Sequence, residues 1–182
     1  MHFGKIIAVA ALAFAAQGMV GCATTAPAAK FQEPLKVEER VRASDNVLVA
    51  ITAAEGVEML ETEKQRVLDH IQTKLKSKQA KNPSGEIRDL KVDVEMTRYQ
   101  KGNAFARAML AGLGQIHLDA HVRVYDAANN QPLTDFEVKK TFAWGGIYGA
   151  ATGIEDLEAA LAEGITEALT GQAEENQKKA KT

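Results

Sequence analysis

Cysteine is nearly absent from this chain of 182 residues: Cys22 is the only one. No intramolecular disulfide can form, even in an oxidising compartment. Serine is scarce as well. Ser44, Ser77 and Ser84 are the whole set, none lies in a Gly-x-Ser-x-Gly elbow, and none has a histidine close in sequence, so nucleophilic catalysis has little to work with. A basic excess is missing. Removing residues 1–21 takes one of the 22 basic residues, Lys5, and none of the 24 acidic ones, leaving a net charge of −3. Nothing in that balance drives binding to nucleic acid or to anionic lipid. A spanning hydrophobic run is missing too. The apolar stretch Ile6–Ala16 stops at 11 residues, where Gln17 and Gly18 interrupt it, and a transmembrane helix needs about 20.

What is present at the N-terminus is a different apolar device. A short start carrying Lys5, the 11-residue apolar stretch and a small-residue exit have the form of a secretory signal peptide over residues 1–21. Met19-Val20-Gly21-Cys22 follows and resembles the lipobox of bacterial lipoproteins, with Met19 where leucine is usual. The resemblance implies cleavage before Cys22, a diacylglyceryl group on its sulfur and usually an N-acyl group. Two or more acyl chains anchor stably where one does not. Ala23 in place of aspartate implies sorting to the outer membrane, with the domain facing the periplasm. The expected membrane contact is therefore the lipid on Cys22.

The remaining 161 residues suffice for one domain with a core. Residues 22–42, with two prolines and little periodicity, read as the lipidated N-terminus and a flexible tether. Residues 43–170 read as a single α/β domain, and 171–182 as a disordered polar tail. Within the domain, Asn46–Thr52 is a short β-branched run that suits a strand. The Thr52/Glu55 spacing predicts a capping box and a helix over about Gly56–Lys78, with Val57, Leu60, Val67, Leu68, Ile71 and Leu75 on its stripe.

Three alternating strands come next, on Leu90/Val92/Val94/Met96, Ile116/Leu118/Ala120/Val122/Val124 and Phe136/Val138/Phe142/Trp144. Lys140 breaks the third pattern and points to a position near an edge. Thr152 and Glu155 predict a second capping box, opening a helix with Ile154, Leu157, Leu161, Ile165 and Leu169 inward. The β-α-β-β-β-α order predicts an α+β two-layer sandwich. Its mixed four-stranded sheet carries both helices on one face and leaves the other face wet.

Topology brings three loops together. If the first two strands are a parallel βαβ pair, the loops after the first, second and fourth strands share one rim of the sheet. Two of them, Lys101–Gly114 and Gly145–Gly153, are glycine-rich yet carry Phe105, Met109, Leu110, Leu113, Ile147 and Tyr148. Long apolar loops are unusual. Two readings stay open: these side chains fold inward and cap the core, or they form a rim for a protein partner or a second copy.

Other chemistry is weaker. Gly145–Gly153 joins a strand to a helix as phosphate loops do, but it lacks Gly-Lys-Ser/Thr, and Glu155 and Asp156 put negative charge where phosphate would sit. His117, Asp119 and His121 share one strand face, yet the two histidines lie about 13 Å apart along it, too far for one zinc with bonds near about 2 Å. No metal, cofactor or catalytic residue is expected. From Arg107 to Leu169 the chain resembles a family of bacterial lipoproteins catalogued as domain of unknown function 4410. The resemblance rests on Arg-Ala-Met-Leu-Ala-Gly-Leu-Gly, then Gln-Ile-His-Leu-Asp-Ala-His-Val-Arg-Val-Tyr-Asp-Ala, and a later Gly-Gly-x-x-Gly. Asn129-Asn130 stands where that family often has Thr-Gly. YajG-like lipoproteins are similar in element order. The resemblance implies a small α/β envelope lipoprotein and carries over no activity. The expected role is a non-enzymatic binding or assembly module for envelope components; the alternative is a small metal-dependent or hydrolytic envelope enzyme.

Overall fold

The computed structural model describes residues 28–31, 36–110, 113–143 and 150–173. Its elements are β1 (Ala28–Phe31), β2 (Asn46–Ala53), α1 (Glu61–Gln79), β3 (Asp89–Gln100), a short α2 (Ala104–Met109), β4 (Ile116–Asp126), β5 (Pro132–Phe142) and α3 (Ile154–Thr170). The sheet runs β1-β5-β4-β3-β2, with β2 parallel to β3 and the other neighbours antiparallel. The mixed sheet and the β-α-β-β-β-α order are as the alternation predicts; a fifth strand, β1, is added at the β5 edge.

Period two decides which face is dry. Leu90, Val92, Val94 and Met96 of β3, Ile116, Leu118, Ala120, Val122 and Val124 of β4, and Phe136, Val138 and Phe142 of β5 are all buried together. Lys140 is buried among these inward positions, and burial holds its ammonium below the usual lysine value. The β1 ladder ends at Lys139, so Lys140 lies just past its edge. α3 covers β4, β5 and β1 with Leu157, Leu161, Ile165 and Leu169, and α1 packs on α3 and β2 with Val67, Ile71 and Leu75.

Both helices begin later than the Thr52 and Thr152 spacings predict. Thr52 and Ala53 stay in the parallel ladder opposite Glu95 and Met96, so β2 outlasts the expected cap. Gly56 then turns at φ +79°, and α1 starts where the Glu63 carboxylate accepts from the Leu60 N–H at 2.9 Å. Leu60 precedes the helix and stays exposed rather than joining the stripe. At α3 it is Asp156, not Glu155, that folds back, accepting from the Gly153 N–H at 2.9 Å.

The stretch 22–42 enters the fold at two places. β1 occupies the free edge of β5, and residues 36–42 cross the far end of the molecule. There Val41 is buried, and its N–H donates to Leu169 O at 2.9 Å, while Asn82 Nδ2 donates to Val41 O at 2.6 Å and to Thr170 O at 3.1 Å. These donors satisfy carbonyls that the end of α3 leaves without helical partners. Arg88 fixes the same crossing. Its guanidinium donates to Glu38 O (2.7 Å), Arg40 O (2.8 Å) and both oxygens of Asp45 (3.1 and 2.5 Å), whose side chain is fully buried.

Removing the carboxylate would leave the Arg88 fork and the Arg42 N–H without their acceptor. Asp45→Ala is expected to lower the unfolding free energy by about 2–4 kcal/mol, measured from urea melts followed by circular dichroism. A loss below about 0.5 kcal/mol, the size of an ordinary surface change, would show that the crossing is not held there.

Candidate interaction rim

The strand directions assemble the rim. β2 and β3 are parallel, β4 runs back, and β5 returns, so β2, β3 and β5 all end on one side. Both helices start on that side and run parallel to each other: Arg66 meets Glu158 early in the two helices, and Lys78 meets Glu167 and Gln172 late. The rim therefore carries two helix N-termini, with Glu61 and Glu63 in one first turn and Glu155 and Asp156 in the other, where negative charge suits the macrodipole.

The Lys101–Gly114 stretch is partly helical. Asn103 caps α2, its side chain accepting from the Ala106 N–H at 2.9 Å. The base of this excursion is pinched: the Asn103 N–H donates to Gly114 O at 3.1 Å. Gly102 and Gly114 stand at φ +64° and +70°, and a Cβ on Gly102 would lie 2.3 Å from Gly114 O. Arg107 is the strut. Its side chain is buried, with Nη1 donating to Gly114 O and Nη2 to Thr152 O, each at 2.9 Å. One guanidinium thus ties the β3–β4 connection to the entry of α3.

With the backbone braced, the large apolar side chains of this stretch face outward. Phe105, Met109, Leu110 and Leu113 are 75%, 66%, 53% and 57% exposed, so these four do not cap the core. Ile147 and Tyr148 lie outside the described residues, as does Cys22.

Beneath the rim is a buried polar cluster that strand alternation does not disclose. The β3 register shifts between Met96 and Arg98, and the parity of the strand changes with it: Met96 and Tyr99 are both buried. The Tyr99 hydroxyl donates to Glu158, which is fully buried and also accepts from Arg66 Nε (2.5 Å) and Nη2 (2.8 Å). Burial first, then the Glu158 carboxylate, holds the Tyr99 phenol far above its ordinary value of 10.0. Lys101 Nζ lies 2.7 Å from Glu63 and 5.9 Å from the Tyr99 ring centre. Burial pushes the Glu63 carboxyl up, but the Lys101 and Leu60 hydrogen bonds and the nearby cations outweigh it and hold it low.

The opposite sheet face pairs its charges across strands and, for Lys139 with Glu137, along β5. His121 Nε2 meets Asp135, Arg123 donates to Glu95 at 2.6 Å, Lys139 meets Glu137 at 3.0 Å, and His117 Nδ1 lies 3.0 Å from Thr141 Oγ1. Burial, then the Arg98 charge, holds His117 below the usual imidazole value. Asp119 stands opposite Lys139 in the ladder. Among the described residues no group of three His, Cys, Asp or Glu side chains could hold a metal ion, and no helix is long and apolar enough to cross a membrane.

A family model described as Domain of unknown function (DUF4410) matches residues 37–146, more than half of the chain. No curated protein matches. Among solved structures, the PelC dodecamer from Paraburkholderia phytofirmans superposes with a TM-score of 0.50 at 7% identity, covering 78% of this chain and 98% of that one. A protein from Xanthomonas campestris gives 0.44 at 12% identity over 84% and 98% of the two chains. A minor lipoprotein from Acinetobacter baumannii gives 0.29 at 14% identity over 64% and 91%. At these identities the first likeness is one of fold alone.

Arg107→Met keeps much of the side-chain volume and removes both bonds of the strut. It is expected to speed amide hydrogen exchange around 102–110 and 150–153 while β4 and β5 keep their protection; unchanged exchange in both stretches would refute the strut. Tyr99 also imposes a pH dependence. Its folded-state pKa is raised, so its contribution is complete below about pH 10 and is lost as the pH climbs from there toward the folded value. Urea midpoints above pH 10 should therefore fall more gently in Tyr99→Phe than in the parent, and identical slopes would contradict the assignment.

Proposed function

We propose, from the premise that this chain belongs to the DUF4410 family, that it is a non-enzymatic module of the cell envelope, held by lipid on Cys22 and working through its rim. The observation that carries this reading is the exposure of Phe105, Met109, Leu110 and Leu113 on a backbone stretch braced by Arg107. Leaving four large apolar side chains in water is unfavourable by about 25 cal/mol for each Å² that could be buried, and rigid apolar surface of this kind marks contact sites. Ile147 and Tyr148 belong to the same proposed face by sequence. The working address is the outer membrane, facing the periplasm, as Ala23 after the lipobox implies. The rival reading, a small metal-dependent or hydrolytic enzyme, calls for converging polar groups in a cleft. The polar groups described here are instead spent on one another, in the Tyr99–Glu158–Arg66 cluster and the ladders of the wet face.

A photo-reactive side chain at Leu110, introduced in the lipidated protein in living cells, is expected to capture an envelope component. The same probe at Asn129, in the hairpin at the far end, should capture far less. Equal capture at both positions would defeat the assignment of the rim as working face.

A further inference from the structure

We infer that the component met by the rim is the bilayer surface in which Cys22 is anchored, so that Phe105, Met109, Leu110 and Leu113 seat in the headgroup–acyl boundary. The inference rests on the lipid-anchor reading above and adds to it an orientation. β1 supplies the orientation. Ala28 stands opposite Lys139 and Phe31 opposite Phe136, so β1 runs away from the rim and the chain enters it from the rim side.

Cys22 precedes Ala28 by six residues. Six residues reach at most about 20 Å. The rim level, at Phe142, is three positions beyond Lys139, about 10 Å along β5; the far end, at Pro132, is seven positions the other way, about 23 Å, and would require the chain to double back. The anchor therefore reaches a membrane at the rim end and falls short of one at the far end. β3 lies three strands from β1 at about 4.8 Å each, so α2 stands within about 15 Å laterally of the anchor's edge.

The surroundings specify how the contact is made. Glu61 and Glu155 are exposed beside Lys101, a mixed and partly acidic border that offers no attraction to anionic headgroups. Burial of apolar side chains is the driving term, which makes the contact insensitive to salt.

The lone cysteine makes the test clean, because acylation consumes Cys22 and any introduced cysteine is then the only thiol. Lipidated protein carrying Leu110→Cys, or Phe105→Cys as a second site, is spin-labelled and reconstituted in phosphatidylcholine vesicles, with Asn129→Cys as the far-end control. The expected result is an oxygen-to-nickel-chelate accessibility ratio several-fold higher at 110 and 105 than at 129, unchanged at high salt. Equal ratios in protein whose mass shows acylated Cys22 would overturn the orientation. Dipolar broadening between labels at 110 would overturn it in favour of a second copy covering the rim. A mass without acyl groups would instead refute the anchor reading, and the inference with it.

Discussion

The parallel pairing of β2 with β3 is the constraint from which the rest of the architecture follows. Two parallel neighbours cannot be joined by a hairpin, so the chain must cross over the sheet, and α1 is that crossover. The crossover returns along the apolar face, which places the start of α1 at the C-terminal ends of β2 and β3. α3, leaving β5 at the same end, then lies parallel to α1 rather than antiparallel. Both positive helix termini, the ends of three strands and the longest connection collect at one pole. The far pole receives the helix C-termini and the crossing segment that covers them.

That arrangement concentrates charge at one end and requires it to be neutralised locally. Glu63 and Asp156 answer the first backbone donors of the two helices. Glu158 goes deeper, where a carboxylate with no water is tolerated only when its oxygens are saturated, and Arg66 and Tyr99 together supply three donors. Breaking either partner would strand a buried charge. The α2 stretch is braced separately, by Arg107 on Gly114 O and Thr152 O and by the Asn103 N–H on Gly114 O.

Some of this was legible in the residues and some was not, for physical reasons that differ by element. Strict alternation identified β3, β4 and β5, and the three-four spacing identified the buried stripe of α3, because burial on one side writes itself into periodicity. The Thr52/Glu55 spacing places the start of α1 about five residues early, and the Thr152/Glu155 spacing places that of α3 about one residue early. Capping spacings recur by chance, and Leu60/Glu63 and Gly153/Asp156 are satisfied in place of Thr52/Glu55 and Thr152/Glu155. β1 carries almost no signal of its own: four residues become a strand only because β5 leaves an edge for them. Tyr99 and Glu158 were hidden by the register shift after Met96 and by the burial of α3 against both α1 and the sheet. Arg107 offered one hint, an arginine alone in an apolar loop capped by Asn103, and its burial depends on two carbonyls that only the fold brings together.

The antiparallel register of β1 on β5 also decides how the molecule bears load. Any pull transmitted through an anchor at Cys22 arrives at Ala28 along the strand direction, across backbone bonds that join four residue pairs from Ala28–Lys139 to Phe31–Phe136. Such a pull shears all of those bonds at once instead of unzipping them one by one. Behind them stands the Arg88 clamp on the crossing segment. A short, sequence-poor strand at the edge of the sheet would then be the mechanical joint between the domain and an anchor at Cys22.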